Sequence, residues 1–149
     1  MPLQIKPGAS RAFDYWRDPL CLLSWAGYVI NRQITRHIWA TAFHHFFSYH
    51  FDDMLLVPSV LPLLLWVYRK LNLRADDTPP SNSEIWGYVV FWSIFFEWFS
   101  PVFLKQGVGD FWDVVVYFVG AGYSWAYWRW RYGPPHLAQA NATAATSTP

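Results

Sequence analysis

Residues 84–104 read EIWGYVVFWSIFFEWFSPVFL, a long run of apolar and aromatic residues with one acid, Glu97, well inside it. A helix that crosses the hydrocarbon core of a bilayer needs about 20 such residues. Three more apolar runs cover about residues 17–33, 53–71 and 110–128. The four runs predict an all-α integral membrane bundle of four transmembrane helices.

The composition of the 149-residue chain fits a membrane protein of one domain. Hydrophobic residues make up 54% of it, aromatic residues make up 21%, and 11 residues are Trp. Charged residues make up only 14%, against about 25% in ordinary soluble domains. The net charge of +1 and the lack of a basic stripe argue against nucleic acid as a partner. Because Cys21 is the only cysteine, a disulfide framework is excluded.

Residues 36–50, RHIWATAFHHFFSYH, carry apolar side chains at helical spacing between the first two runs. This pattern predicts an additional helix that lies in the membrane interface, and it is equally compatible with a longer second crossing. We therefore divide the chain into a cytoplasmic N-terminal segment (1–17), a transmembrane helical domain (18–131) and a disordered cytoplasmic tail (132–149).

The positive charges predict the orientation of the crossings. With the N-terminus in the cytoplasm, eight of the 11 Lys and Arg residues lie on the cytoplasmic side, and three lie outside. Cytoplasmic loops of membrane proteins carry this excess of Lys and Arg. We therefore expect a multi-pass protein with both termini in the cytoplasm.

Five acids fall at the outer ends of the runs: Asp52, Asp53, Glu97, Asp110 and Asp113. The four aspartates open helices, and helix capping alone would account for them. Glu97 has no such explanation, because it lies late in its helix, and an acid near mid-bilayer costs about 2.5–3.5 kcal/mol. Since three runs bring acids to one level, we predict a cation or proton site there, built on Asp53, Glu97, Asp110 and Asp113.

The predicted chemistry follows from the ligand type. Carboxylates suit a hard divalent cation, with Mg²⁺ or Ca²⁺ favoured, so the same four acids are the predicted metal ligands. Histidine ligands would shift the preference toward Zn²⁺, Mn²⁺ or Fe²⁺. Without a metal, crowded carboxylates would share protons. The predicted accessory groups are Asp52, Tyr117, His45 and His50.

One face of the fourth helix carries Asp110, Asp113, Tyr117 and Gly120 at helical spacing. Ser124 extends this face. The Gly120-xxx-Ser124 pair predicts that another helix approaches closely there, because small residues let backbones come together.

The segment His50-Phe51-Asp52-Asp53-Met54-Leu55, with Pro58 and Leu61-Pro62, resembles a small, uncharacterised family of bacterial integral membrane proteins. The resemblance covers about residues 29–125, and it continues through Glu97, Pro101 and the pattern Asp110-xx-Asp113-xxx-Tyr117-xx-Gly120. Some members are described as magnesium–citrate secondary transporters. This resemblance implies that the protein is located in the bacterial inner membrane.

Residues 97–124 are also similar, more loosely, to the VanZ-like membrane proteins linked with glycopeptide resistance. In those proteins a membrane glutamate precedes an Asp-xx-Asp-xxx-Asn-xx-Gly helix start, and Tyr117 stands here in place of that Asn.

Three functions remain open. The leading hypothesis is a cation- or proton-coupled transporter of a small solute or a metal–carboxylate complex, working as a homo-oligomer because four short spans are few for a carrier. The second is a membrane enzyme or accessory factor that acts on a lipid-linked envelope substrate. The third is a structural subunit. The sequence lacks a Gly-rich phosphate loop, a Ser-His-Asp constellation and a CxxC motif, and it identifies no catalytic residue.

Overall fold

The computed structural model describes residues 12–35, 45–104 and 111–135, and every regular element within these ranges is helical. The all-α class is therefore confirmed for this part of the chain. A 3-10 turn, Tyr15–Arg17, precedes the α-helices, which are α1 Pro19–Ile30, α2 Phe51–Met54, α3 Leu56–Lys70, α4 Asn82–Ile94 and α5 Phe111–Tyr132. Wider π-helical stretches extend three of them: Asn31–Thr35 follows α1, Phe46–His50 precedes α2, and Phe95–Leu104 follows α4.

Local sequence explains where several helices begin and end. Asp18 caps α1, because its side chain accepts a hydrogen bond of 3.0 Å from the Leu20 amide, and Pro19 occupies the first helical position. Ser81 and Glu84 form a capping box at the start of α4, each accepting from the other's backbone amide. Asn72 ends α3 in the left-handed region, with φ +57°.

The helix α1, the continuous helix that contains α2 and α3, and then α4 and α5 run alternately up and down, which separates two ends of the bundle. At one end, Asp18 accepts hydrogen bonds from Trp128 and Tyr132, so the start of α1 meets the end of α5. At the other end, Asn31 bonds to Asp52, so the end of α1 meets the start of α2. We call these the Asp18 end and the Asp52 end. Asp52 and Asp113 lie at the same end, as the sequence predicted.

The apolar core lies along α3, where α4 and α5 pack against it. Val57, Leu61 and Leu65 recur every four residues on one face of α3 and are fully buried. Ile85 and Val89 of α4 face them from the same cluster. A further set of buried residues completes the core from the N-terminal segment and α5: Phe13, Tyr15, Tyr117, Ala121, Trp128 and Tyr132.

The closest approach between helices joins α5 to the turn between α2 and α3. A Cβ atom added to Gly120 would overlap the backbone carbonyl of Met54. That carbonyl has no helical donor, because the residue four positions later is Pro58, which lacks an N–H. The Tyr123 hydroxyl donates to it instead, at 3.1 Å. The close approach predicted from Gly120 and Ser124 is confirmed, and Ser124 is fully buried beside Gly120.

Within the described residues, one continuous helix, Phe46–Lys70, is long and apolar enough to cross a membrane, with 25 residues and a mean hydropathy of 1.5. It joins Phe46–His50 to α2 and α3, so those five residues lengthen the predicted second crossing. Residues 36–44, in which the rest of the interfacial helix was predicted, lie outside the described part. The four-crossing topology stays a prediction.

The Asp18 end is held together by hydrogen bonds to one buried carboxylate. Asp18 is fully buried, and it accepts hydrogen bonds from the Tyr132 hydroxyl at 2.7 Å and from the Trp128 indole N–H at 3.3 Å. Burial and the bond to Asp18 raise the pKa of Tyr132. The described chain begins at residue 12, and Phe13 packs edge-on against Trp128 and Tyr132. Residues 12–18 therefore belong to the packed bundle.

Two arginines organise the loop between α3 and α4. Arg74 pairs with Glu84 at 2.6 Å and donates to the Thr78 carbonyl. Arg69 pairs with Asp77 at 3.0 Å, and Asp77 also accepts from Tyr15 at 2.8 Å. Burial and the Asp77 bond raise the pKa of Tyr15 to about 12.

We expect Gly120→Ala to lower the free energy of unfolding by about 1–3 kcal/mol, because the added methyl group would force α5 away from Met54. Gly122→Ala is the matched control in the same helix, since its Cβ would meet nothing within 4 Å. It should raise the stability by about 0.5–1 kcal/mol through helix propensity. Denaturant unfolding of the purified protein in detergent micelles measures both. Equal effects at the two positions would contradict the close approach.

We expect Asp18→Ala to destabilise the protein by about 3 kcal/mol, because it removes a helix cap, leaves the buried Trp128 indole N–H unpaired and leaves Tyr132 only its longer bond to Asp14. Asp14→Ala is the control. The Asp14 side chain is 52% exposed, and Tyr132 donates to it over a longer distance of 3.2 Å. Its loss should cost less than about 1 kcal/mol in the same unfolding measurement. A reversed order would refute the central role of Asp18.

Candidate functional site at the Asp52 end

The backbone at the Asp52 end departs from regular α-helix in three of the described segments that reach it, whereas α5 begins there as regular α-helix. All three π-helical stretches lie there: Asn31–Thr35, Phe46–His50 and Phe95–Leu104. Short π-helical insertions are rare and occur often at functional sites. Asp52 and Asp53 lie just after Phe46–His50, the backbone of Glu97 lies in Phe95–Leu104, and Asp113 contacts His50, so this end is the candidate site.

A histidine–aspartate pair joins two helices at this end. His50 Nδ1 lies 2.7 Å from Asp113 Oδ1, which connects the segment before α2 to the first turn of α5. Because a carboxylate only accepts, the proton lies on Nδ1, and Nε2 becomes the nitrogen that can take a further proton. Both side chains are largely buried. The sequence predicted Asp113 as a ligand and His50 as an accessory group, and the structure brings them into direct contact.

Asn31 connects the end of α1 to the segment that contains Phe47 and Asp52. Its Nδ2 donates to the Phe47 carbonyl and to Asp52 Oδ1, both at 2.8 Å. Since both partners are acceptors, the amide must present its nitrogen to them. Arg32 lies 3.7 Å from the other oxygen of Asp52. Asn31 is only 1% exposed, and its Oδ1 is buried without a hydrogen-bond partner in the structure as described.

The remaining predicted residues are placed as follows. Asp53 lies half-buried in α2, next to Asp52. Tyr117 is buried in the core on α5. His45 is exposed, and its ring packs against His50 with 5.3 Å between centroids. The backbone of Glu97 lies in Phe95–Leu104. The side chain of Glu97 and the whole of Asp110 lie outside the described part.

A metal centre is therefore tested only in part. Among the described side chains, no three of the types His, Cys, Asp and Glu come close enough together to hold a metal ion. The predicted set includes the side chain of Glu97 and the whole of Asp110, which lie outside the described part. The four-acid cation site stays a prediction, and the described geometry supplies a direct contact between His50 and Asp113.

Sequence reasoning missed Asn31 and Arg32 as members of the site. Both follow the first apolar run and were considered only as its end. One signal could have identified them. They end the first apolar run, and the next apolar run begins with two acids, so an amide and a cation were available as partners for those acids. Asn31 matters most, because an unpaired buried amide oxygen is unfavourable by about 1–3 kcal/mol.

Comparison with protein families, curated proteins and solved structures finds no match to this chain.

We expect His50→Gln and Asp113→Asn to be coupled, because each removes one partner of the same contact. Their effects on the free energy of unfolding should deviate from additivity by about 1 kcal/mol in a double-mutant cycle. His50→Gln combined with Asp14→Asn, which lies at the opposite end of the bundle, is the control and should be additive within about 0.5 kcal/mol. Additive behaviour of the His50–Asp113 pair would show that the contact contributes nothing.

Proposed function

We propose that the chain is a multi-pass protein of the bacterial inner membrane, with four crossings and both termini in the cytoplasm. The excess of Lys and Arg supports this orientation, because it falls at the Asp18 end, where α3 and α5 end with basic residues. The apolar helix Phe46–Lys70 is one of the four proposed crossings. The resemblance to bacterial integral membrane proteins agrees with this placement.

The distribution of side chains supports a lipid environment. Large apolar residues cover the outward faces of the helices, such as Leu23 on α1, at 69% exposed, and Phe91 on α4, at 58%. Polar residues, among them Asp18, Asn31 and Ser124, are buried instead. Contiguous exposed apolar surface of this kind is unfavourable in water and is typical of surfaces that meet a membrane or a partner.

We propose further that the Asp52 end takes part in cation- or proton-coupled movement of a small solute. The observation that carries this proposal is the His50–Asp113 contact, because it ties two helices together through groups that change charge on protonation. A proton on His50 Nε2 makes the pair ionic and strengthens it. Loss of that proton weakens it, which gives the bundle a means of coupling proton occupancy to helix position.

The proposal also includes a divalent cation bound at the Asp52 end. Asp53, Glu97, Asp110 and Asp113 would supply oxygen ligands to a divalent cation, with Mg²⁺ or Ca²⁺ favoured. A metal–carboxylate complex such as magnesium citrate fits the resemblance described above. Because four crossings enclose little space, we propose that the chain works as a homo-oligomer.

The test is uptake by purified protein in vesicles of phosphatidylethanolamine and phosphatidylglycerol under an imposed proton gradient. The vesicles receive Mg²⁺ alone, citrate alone, or both together. We expect gradient-dependent uptake that is lost in Asp113→Asn, in His50→Gln and in Glu97→Gln. Asp14→Asn, an acid-to-amide change at the Asp18 end, is the matched control and should keep the activity.

Two outcomes would favour the other hypotheses. Metal-dependent turnover of a lipid phosphate without solute flux would indicate a membrane enzyme of the VanZ-like kind. Folded Asp113→Asn and Glu97→Gln variants with unchanged flux, metal binding and stability would indicate a structural subunit. Unfolding in detergent establishes first that each variant is folded.

A further inference from the structure

A polar groove lies at the Asp18 end, between the N-terminal segment and the end of α3. Its volume is about 570 Å³, which is within the range of small-ligand sites. It is distinct from the Asp52 end, because its lining comes from the opposite termini of the helices: Ala12, Phe13, Tyr15, Trp66, Arg69, Lys70, Asn72 and Asp77.

The groove carries an excess of positive charge. Arg69 Nε pairs with Asp77 at 3.0 Å, and its Nη1 donates to the carbonyls of Arg74 and Ala75. These bonds fix the guanidinium in the wall of the groove. Lys70 makes no ion pair with any described residue, and its ammonium lies 5.8 Å from the centre of the Trp66 ring. Asp77 therefore balances only one of the two cations.

Apolar side chains border this charge. Trp66 lies one turn before Lys70 and is partly exposed. Leu71 and Leu73 flank Asn72 in the chain, and they are 62% and 72% exposed. The loop leaves α3 at the end of the helix that is apolar enough to span a membrane. A cation beside an aromatic ring and exposed leucines is the pattern of a surface at the boundary between lipid and water.

We propose that this groove binds the phosphate headgroup of an anionic phospholipid of the cytoplasmic leaflet, with Lys70 as the main cation. Arg69, whose charge Asp77 balances, is fixed in the wall beside it, and the Trp66 indole N–H can donate to the same headgroup. Leu71 and Leu73 enter the acyl region beside it. A lipid is favoured over a free phosphate because the exposed leucines need an apolar partner. The inference rests on the proposed membrane location and is independent of transport.

The experiment measures thermal stability of the full-length protein in a non-ionic detergent as short-chain lipids are added. Dihexanoyl phosphatidylglycerol should raise the melting temperature to a plateau as its concentration increases. Dihexanoyl phosphatidylcholine should have a much weaker effect. Lys70→Gln should weaken the apparent affinity for the anionic lipid about fivefold, and Lys70→Arg should restore it. Arg32→Gln removes a cation at the Asp52 end and should leave the affinity unchanged.

Three results would overturn the proposal. One is equal stabilisation by the anionic and zwitterionic lipids. Another is an unchanged affinity in folded Lys70→Gln. The third is equal stabilisation by glycerol phosphate, which carries the headgroup without acyl chains and would indicate a site for a soluble anion. Since the assay needs no gradient and no flux, loss of transport and loss of lipid binding are observed separately.

Discussion

The approach of α5 to the Met54 carbonyl determines the rest of the architecture. Only a glycine at position 120 permits this approach, because any side chain would overlap the carbonyl oxygen. Asp113 lies two turns before Gly120 on α5, and His50 lies one turn before Met54. The distance between α5 and the α2 segment is therefore set at Gly120, and the 2.7 Å contact between His50 and Asp113 follows from it.

Both ends of the bundle bury polar groups, and each end leaves some of them without a hydrogen-bond partner among the described groups. At the Asp18 end, a buried carboxylate accepts from a backbone amide, an indole and a phenol, while Arg129 Nη1 and Arg131 Nε are buried without such a partner. At the Asp52 end, the amide oxygen of Asn31 has no partner among the described groups, and the helices widen into π-helical stretches. The π-helical stretches, and not the number of unpaired polar groups, therefore distinguish the Asp52 end from the Asp18 end.

The sequence predicted those features that depend on local spacing. The helical class follows from the length of the apolar runs, the shared end of Asp52 and Asp113 from the alternating direction of those runs, and the close approach at Gly120 from small residues at i and i+4. The partner of Asp113 was not predicted as such, because contact between positions 50 and 113 depends on how two distant helices pack. Nothing in the local spacing around Asp18 indicated that it would be buried. Its burial depends on Trp128 and Tyr132, which lie more than 100 residues away.

The hydrogen bond from Tyr123 to Met54 links two positions that are far apart in the chain. Proline at 58 deprives the carbonyl of its backbone partner, and the phenol at 123 replaces that partner. A relative with an ordinary residue at 58 would have no need of the hydroxyl. Across homologous proteins, these two sites should therefore covary, with phenylalanine tolerated at 123 wherever position 58 is no longer proline.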